Sequence, residues 1–299
     1  MQIPNDLMPA SERAERLPKA HAMTHLRGRR AANNPRRMHR RRLMLTGLAL
    51  AAAATRARSA PVANGGPLRV GSDLGLSDSG LASALIRAFE LDTGIAVQTV
   101  VAPALPMLDA LAGGEVDAAL LNAPEAELKR QNEGLIYDRQ AIAGGDFVLV
   151  GPGGRGGTGP AAAALGRLFA PATATSSGFV FLSANDGSGA HIAEQALWRS
   201  AGLAPQAPWY RAARKPADIL TEARAAGACA VVERGAWAAR GGRPLAIIAA
   251  GDAVLVEQVH VMRSFRSPHP AGKLFVAWIA GGRGRAVALR RPGYRAPAA

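Results

Sequence analysis

The chain has 299 residues, 48% of them hydrophobic, a formal net charge of +14 and one cysteine. This is enough for one large domain or two medium ones with a buried core, whereas a lone cysteine excludes an internal disulfide framework and leaves no Cys/His spacing for zinc. The charge does not point to nucleic acid: the first 60 residues hold thirteen Lys and Arg against three acidic residues, which accounts for +10 of the +14, and no aromatic residues interleave with a basic stripe.

That basic region has an informative inner part. Arg36, Arg37, Arg40, Arg41 and Arg42 precede an apolar stretch from Leu43 to Leu50 and an alanine run to Ala54. A basic segment, an apolar stretch too short to span a membrane and a small-residue exit predict an export signal, so residues 1–66 are expected to be a leader, disordered or removed, and the mature protein periplasmic or otherwise extracytoplasmic. Arg40-Arg41-Arg42-Leu43-Met44 resembles a twin-arginine signal. No clean A-x-A site stands near Ala60, and Met38 offers an alternative start.

From Pro67 the pattern alternates short apolar strands with helical segments. Strands are predicted at 68–71, 95–101, 116–121 and 147–152, and helices at 81–90, 105–112 and about 125–132, from apolar residues at helical spacing such as Leu81, Leu85, Ile86 and Phe89. A short helix is expected at 165–169 within a Gly-, Ala- and Thr-rich stretch, then a Pro-rich turn at 204–208, a helix at 216–226, strands at 228–232, 245–249 and 254–262, and an amphipathic helix at 270–280. Such an order implies an α/β fold with a mostly parallel sheet covered on both faces. Cys229, in the apolar run Ala228 to Val232, reads as a small buried residue.

The most informative stretch is 179–198. A β-prone run, Phe179 to Leu182, stops at the polar loop Ser183-Ala184-Asn185-Asp186-Gly187-Ser188-Gly189, which opens into a segment with Ile192, Ala196 and Leu197 at helical spacing. A strand, a Gly-rich loop and a helix start present backbone N–H groups and hydroxyls at the positive end of a helix, the local chemistry that holds an anion. The same pattern also suits an ordinary capped turn, with Asp186 or Ser188 as the cap.

Segments along residues 67–282 together resemble the extracytoplasmic tungstate-binding proteins of ABC importers, members of the two-lobed periplasmic binding protein superfamily with type II connectivity. The resemblance is carried by LRVGS at 68–72, DSGL at 78–81, FELDTG at 89–94, GEVDAALLNAPE at 114–125, DFVLVGP at 146–152, Ser188-Gly189 with His191, ALW at 196–198, Trp209-Tyr210 and ERGAW at 233–237. It implies two α/β lobes with hinge strands crossing between them: lobe 1 from residues 67–146 plus 254–299, and lobe 2 from 147–253. It implies further that the loop at 71–75 faces the loop at 183–188 across a cleft that grips a tetrahedral oxyanion such as tungstate or molybdate, that the protein is a monomer handing its ligand to a membrane permease, and that no cofactor is needed.

The ligand loops depart from the family pattern. Where the family has a run of roughly S-T-T-S, this chain reads Ser72-Asp73-Leu74-Gly75, and where it carries S-R-G-D-D-S-G-T-H, this chain has Ala184 for the Arg and Ala190 for the Thr. The N-P-Y of the later crossing segment is replaced by Glu257-Gln258-Val259. The expected ligand-binding set is therefore Ser72, Asp73, Leu74, Asn185, Asp186, Gly187, Ser188 and Gly189, with Arg211 and Arg214 (or Lys215) swinging in to replace the lost cation. The alternatives are a different small solute, whose amine Asp73 would pair, or a sensor or scaffold module on the same fold. A remote alternative is a serine hydrolase with Ser188 as nucleophile and His191 as base, but Ser188 is not in a G-x-S-x-G elbow and no acid is placed to orient His191. His191 and Glu194 lack a third ligand for a metal.

Overall fold

A computed structural model describes residues 65–153, 160–169 and 180–297. The expected export signal lies outside the described residues, as do Phe179 and most of the Gly-, Ala- and Thr-rich stretch.

The first sheet is organised on β1 (Leu68–Ser72), which pairs in parallel with β2 (Val97–Val101) on one side and β3 (Ala118–Leu121) on the other. Leu68 and Val70 are fully buried. Between them Arg69 turns outward to Asp117, with a guanidinium–carboxylate contact of 2.7 Å. The sheet continues antiparallel from β3 to β9 (Val256–Ser264) and from β9 to β4 (Ile136–Pro152). Helix α1 (Leu74–Asp78) follows β1 directly. Helix α2 (Leu81–Thr93) buries Leu81, Leu85, Ile86 and Phe89 against one face, where Phe275 and Ile279 from the helix Ala271–Ala280 join them. On the other face α3 (Ala104–Gly113) contributes Met107, Leu108 and Leu111, and α4 (Pro124–Asn132) follows β3. Strands covered on both faces read as near-continuous apolar runs, which is why AALL of β3 is wholly buried.

Strand β4 is the long element of the molecule. Residues 136–146 pair with β9, and residues 147–152 pair antiparallel with β7 (Ala230–Glu233) and β8 (Leu245–Ala249). One continuous strand thus passes from the first sheet into the second. The second core also contains α5 (Ala161–Phe169), β5 (Phe181–Ser183), α6 (Gly189–Ser200) and β6 (Tyr210–Ala212). β5 and β6 are parallel, and β5 lies beside Cys229 in a parallel bridge. Helix α7 (Ile219–Ala226), preceded by a 3-10 turn over Pro216–Asp218, leads into β7, and α8 (Arg234–Ala239) leaves it. The chain closes with α9 (Ala271–Ala280) and α10 (Gly282–Ala288). The architecture is the α/β, two-lobed type anticipated from the sequence, with parallel pairing around β1 and between β5 and β6 and antiparallel pairing along β4 and β9.

Helix α6 is held by an aromatic cluster. Trp198 is buried with its ring centroid 4.9 Å from Phe181 and 5.7 Å from Phe169, and Trp209 and Tyr210 close the group. The indole N–H donates to Glu194 at 3.2 Å, and the Tyr210 hydroxyl donates to the same oxygen at 2.7 Å. Trp198→Ala removes the centre of this cluster and strips a donor from a buried carboxyl. It should cost about 3–5 kcal/mol of stability, measurable as a lowered urea midpoint.

Candidate functional site

Strand ends converge where the two sheets meet. Ser72 and Asp73 leave the end of β1, Asn122 the end of β3, Ser183 the end of β5 and Glu233 the end of β7, while Glu257 stands at the start of the oppositely running β9. In open α/β sheets the crevice outside the carboxyl ends of the strands is where ligands sit. A cavity of about 40 Å³ opens here, lined among others by Asp73, Gly75, Asp186, Ser188 and Glu233. Among the described residues no Lys or Arg lines it.

Asp73 stands at the centre. Its backbone is extended at the cap position of α1, and its carboxylate accepts the Gly75 N–H at 3.1 Å. The backbone N–H of Gly189, the first residue of α6, also favours the ionised form of this carboxyl from across the cleft. Asp73 is wholly buried, and burial raises its pKa to about 6, opposed in part by these two N–H groups. Glu233 is equally buried, and its carboxyl packs so closely on Gly75 that a Cβ there would overlap it. Desolvation first, then the charges of Glu257 and Asp73, push Glu233 well above the usual carboxylate range. Among the described residues, Asp73 Oδ2 and Glu233 Oε2 have no hydrogen-bond partner. Burial and the neighbouring negative charges favour a proton on Glu233.

Asn122 ties this pair to a third acid. Its amide donates to Glu233 at 2.7 Å and to Glu257 at 3.0 Å, and its Oδ1 packs where a Cβ on Gly189 would stand. Burial raises the pKa of Glu257 to about 8. Asn122 Oδ1, Asp186 Oδ2 and Glu257 Oε2 have no donor partner. The cleft is thus rich in buried acceptors, and its own carboxyls use the donors that face it.

The residues expected from the sequence divide into two groups. Asp73, Leu74, Asp186 and Ser188 line the cavity, and Gly189 borders it through Asp73 and Asn122. Ser72 lies buried beneath, its hydroxyl donating to the Asp73 carbonyl at 3.1 Å and accepting from Ser77 at 3.2 Å. Gly187 joins the two halves, its carbonyl accepting the Leu105 N–H at 3.0 Å. Asn185, at φ 48°, is exposed at the turn of the loop and does not line the cavity. Arg211 and Arg214 are not brought to the cleft: they line a separate cavity of about 540 Å³ with Asp218 and Glu222, where Arg211 donates to the Pro208 carbonyl at 2.8 Å. Lys215 lines that second cavity as well.

Ser188 is the cap of α6, its Oγ accepting the His191 N–H at 3.3 Å, and the His191 ring accepts the Gly187 N–H through Nδ1 at 3.0 Å. The imidazole therefore serves the loop backbone, and its pKa is lowered by burial. Among the described residues no group of three or more His, Cys, Asp or Glu could hold a metal ion. The sequence reading missed Asn122, Glu233 and Glu257 as site residues. The first two lie inside the quoted segments at 114–125 and 233–237, and the available signal was their place at strand ends.

The sequence profile of the PBP superfamily domain matches residues 74–280. The tungstate-binding protein TupA of Peptoclostridium acidaminophilum is 30% identical over 168 residues, covering 54% of this chain and 57% of that protein. A relative from Haloferax volcanii is 32% identical over 167 residues, covering 54% of this chain and 47% of its own. The chain therefore spans about half the length of the curated relatives it matches. Among solved structures, the tungstate ABC transporter protein of Geobacter sulfurreducens is similar with a TM-score of 0.60 at 26% identity, covering 74% of this chain and 97% of that one. TupA of Desulfovibrio alaskensis is similar with a TM-score of 0.55 at 26% identity, covering 72% and 90%.

The carboxyl cluster gives stability a pH dependence of definite sign. Asp73 and Glu257 have folded-state pKa values raised to about 6 and about 8, so the folded protein holds more protons than the unfolded chain at neutral pH. Their contribution is fully present below the unfolded pKa values and is lost as pH rises through the folded ones. Glu257→Gln keeps an acceptor for Asn122 and removes the titration. It should leave the melting temperature at pH 5 nearly unchanged and raise stability at pH 8.5 by about 1–3 kcal/mol.

Proposed function

This chain belongs to the periplasmic binding protein (PBP) superfamily, and on that premise we propose that it is the extracytoplasmic solute-binding component of an ABC-type importer, holding a small tetrahedral oxyanion of the tungstate class in the cleft between 72–75 and 183–189. The observation that carries the reading is that two loops more than a hundred residues apart aim backbone N–H groups, those of Gly75 and Gly189, at one buried carboxylate. A place that holds a carboxylate by neutral N–H donors is chemically a place for an oxyanion. The relatives described as tungstate-binding support the same ligand class.

We assign residues 67–146 and 254–299 to one lobe and 147–253 to the other. The reading is supported by β4, which changes partners between Asp146 and Phe147 and supplies a strand about which the lobes can hinge. Exported as a monomer by its N-terminal signal, the protein would close on its solute and present it to a membrane permease. A binding role rather than catalysis is supported by Ser188 and His191, whose polar atoms serve as cap and loop brace. Among the described residues no helix is long and apolar enough to cross a membrane.

A second reading, an amine-bearing solute, is favoured by the buried acceptor oxygens that have no donor, and by a cavity lining that has no basic residue, among the described residues. Proton linkage separates the two. An oxyanion favours the protonated forms of Asp73 and Glu257, so its binding takes up protons and weakens as pH rises from 6.5 to 8.5, across the values of about 6 and about 8 that bracket the cluster. An amine does the reverse.

The test is thermal unfolding with tungstate, molybdate, sulfate and a panel of amines at both pH values. A ligand at about a hundred times its dissociation constant adds about 2.7 kcal/mol. Stabilisation by an oxyanion, larger at pH 6.5, is the expected result. Stabilisation only by an amine, larger at pH 8.5, would transfer the assignment to the second reading.

A further inference from the structure

We infer that Asp73 is the specificity-determining residue of this cleft: its carboxylate is a tethered anion that occupies the position between the Gly75 and Gly189 N–H groups which a free oxyanion would need. The inference rests on the proposed solute cleft and deepens it, because it says why the chain's own sequence sets the terms on which an oxyanion enters.

Three observations carry it. First, the carboxylate is placed as a ligand would be: it takes the Gly75 N–H from its own side at 3.1 Å, and its ionised form is favoured by the Gly189 N–H from the opposite one. An aspartate that merely capped α1 would need only the first of these. Second, little room remains beside it. The cavity bordering Asp73 is about 40 Å³, and the surrounding hydroxyls are committed, Ser188 Oγ to the His191 N–H and Ser72 Oγ to the Asp73 carbonyl. Third, the environment was not built to neutralise a second anion. Among the described residues, the wholly buried Asp73 keeps Oδ2 without a donor, Glu233, Asp186 and Glu257 surround it, and no Lys or Arg lines the cavity. An oxyanion entering beside Asp73 would meet like charge in a partly desolvated cleft and find its donors taken.

Replacing the carboxylate by a hydroxyl reverses both obstacles. Serine is as good a helix cap as aspartate, so Asp73→Ser retains the local structure of α1 while removing the charge and releasing the Gly189 N–H. The side chain then becomes a donor facing the cleft. Asp73→Asn is the stricter control: it keeps the volume and removes only the charge, so steric occupation of the site persists.

The experiment is isothermal titration of wild type, Asp73→Ser and Asp73→Asn with sodium tungstate and with sodium sulfate at pH 7.5, each protein first checked for an intact far-UV spectrum and cooperative melting. Asp73→Ser is expected to bind tungstate on the order of 100-fold more tightly than wild type, with Asp73→Asn between the two. Wild type and Asp73→Ser binding tungstate with affinities within about threefold would overturn the role of Asp73 and leave the oxyanion reading standing. Folded proteins among which none binds either anion would overturn both. Should Asp73→Ser fail to melt cooperatively, Asp73→Asn decides: tighter binding than wild type supports the inference, and unchanged binding overturns it.

Discussion

The structure turns on a buried carboxylate approached from two sides. Asp73 accepts the Gly75 N–H of its own short helix, the first amide of α6 also favours its ionised form, and burial with neighbouring charge favours a proton on Glu233 beside it. Burying acids this way is costly unless protons or hydrogen bonds neutralise them. The remaining geometry supplies that neutralisation: Asn122 divides its amide between Glu233 and Glu257, and Gly75 and Gly189 leave space for carboxyl and amide groups that any side chain would displace. A glycine is required at these two positions by close approach, since neither has a positive φ.

The surrounding scaffold fixes the distances. β1 and β3 are locked in parallel register, Ser72 opposite Leu120, so the residues that follow them enter the cleft side by side. On the other half the aromatic cluster around Trp198 sets the position of α6, and Glu194, raised by burial to about 7, takes hydrogen bonds from Trp198 and Tyr210. β4 connects the two halves as one unbroken strand.

Much of the scaffold was legible in the sequence, because fully buried strands and amphipathic helices announce themselves by period. Leu81, Leu85 and Phe89 mark α2, and the run Phe147 to Val150 marks the second half of β4. The first half of β4 was not legible: Asp138, Arg139 and Gln140 are polar and Gly144 and Gly145 interrupt the pattern, yet β9 pairs with the stretch on both sides of an irregularity at Asp138 and Arg139. Helix α1 has only five residues, too few to show a period, and the segment read as a strand from Val254 begins as a 3-10 turn over Ala253–Leu255. In the cleft, Asp73 and Ser188 stood out as polar residues at strand-to-helix turns. The meeting of Asn122, Glu233 and Glu257 depends on sheet register between distant segments, of which their place at strand ends is the only local mark. Arg211 and Arg214 were chosen for their charge after Trp209 and Tyr210, but Arg211 points outward from β6 and Arg214 follows it at the surface.

The most direct test of the two-sided grip on Asp73 is a pH titration of the Gly75 and Gly189 amide resonances by two-dimensional NMR. The Gly75 amide donates to this carboxyl, the Gly189 amide favours its ionised form and burial raises its pKa to about 6, so both should shift together with a common midpoint near that value, and both transitions should vanish in Asp73→Asn. A Gly189 amide that stays flat while Gly75 titrates would contradict the account, because the carboxylate would then belong to one side of the cleft alone.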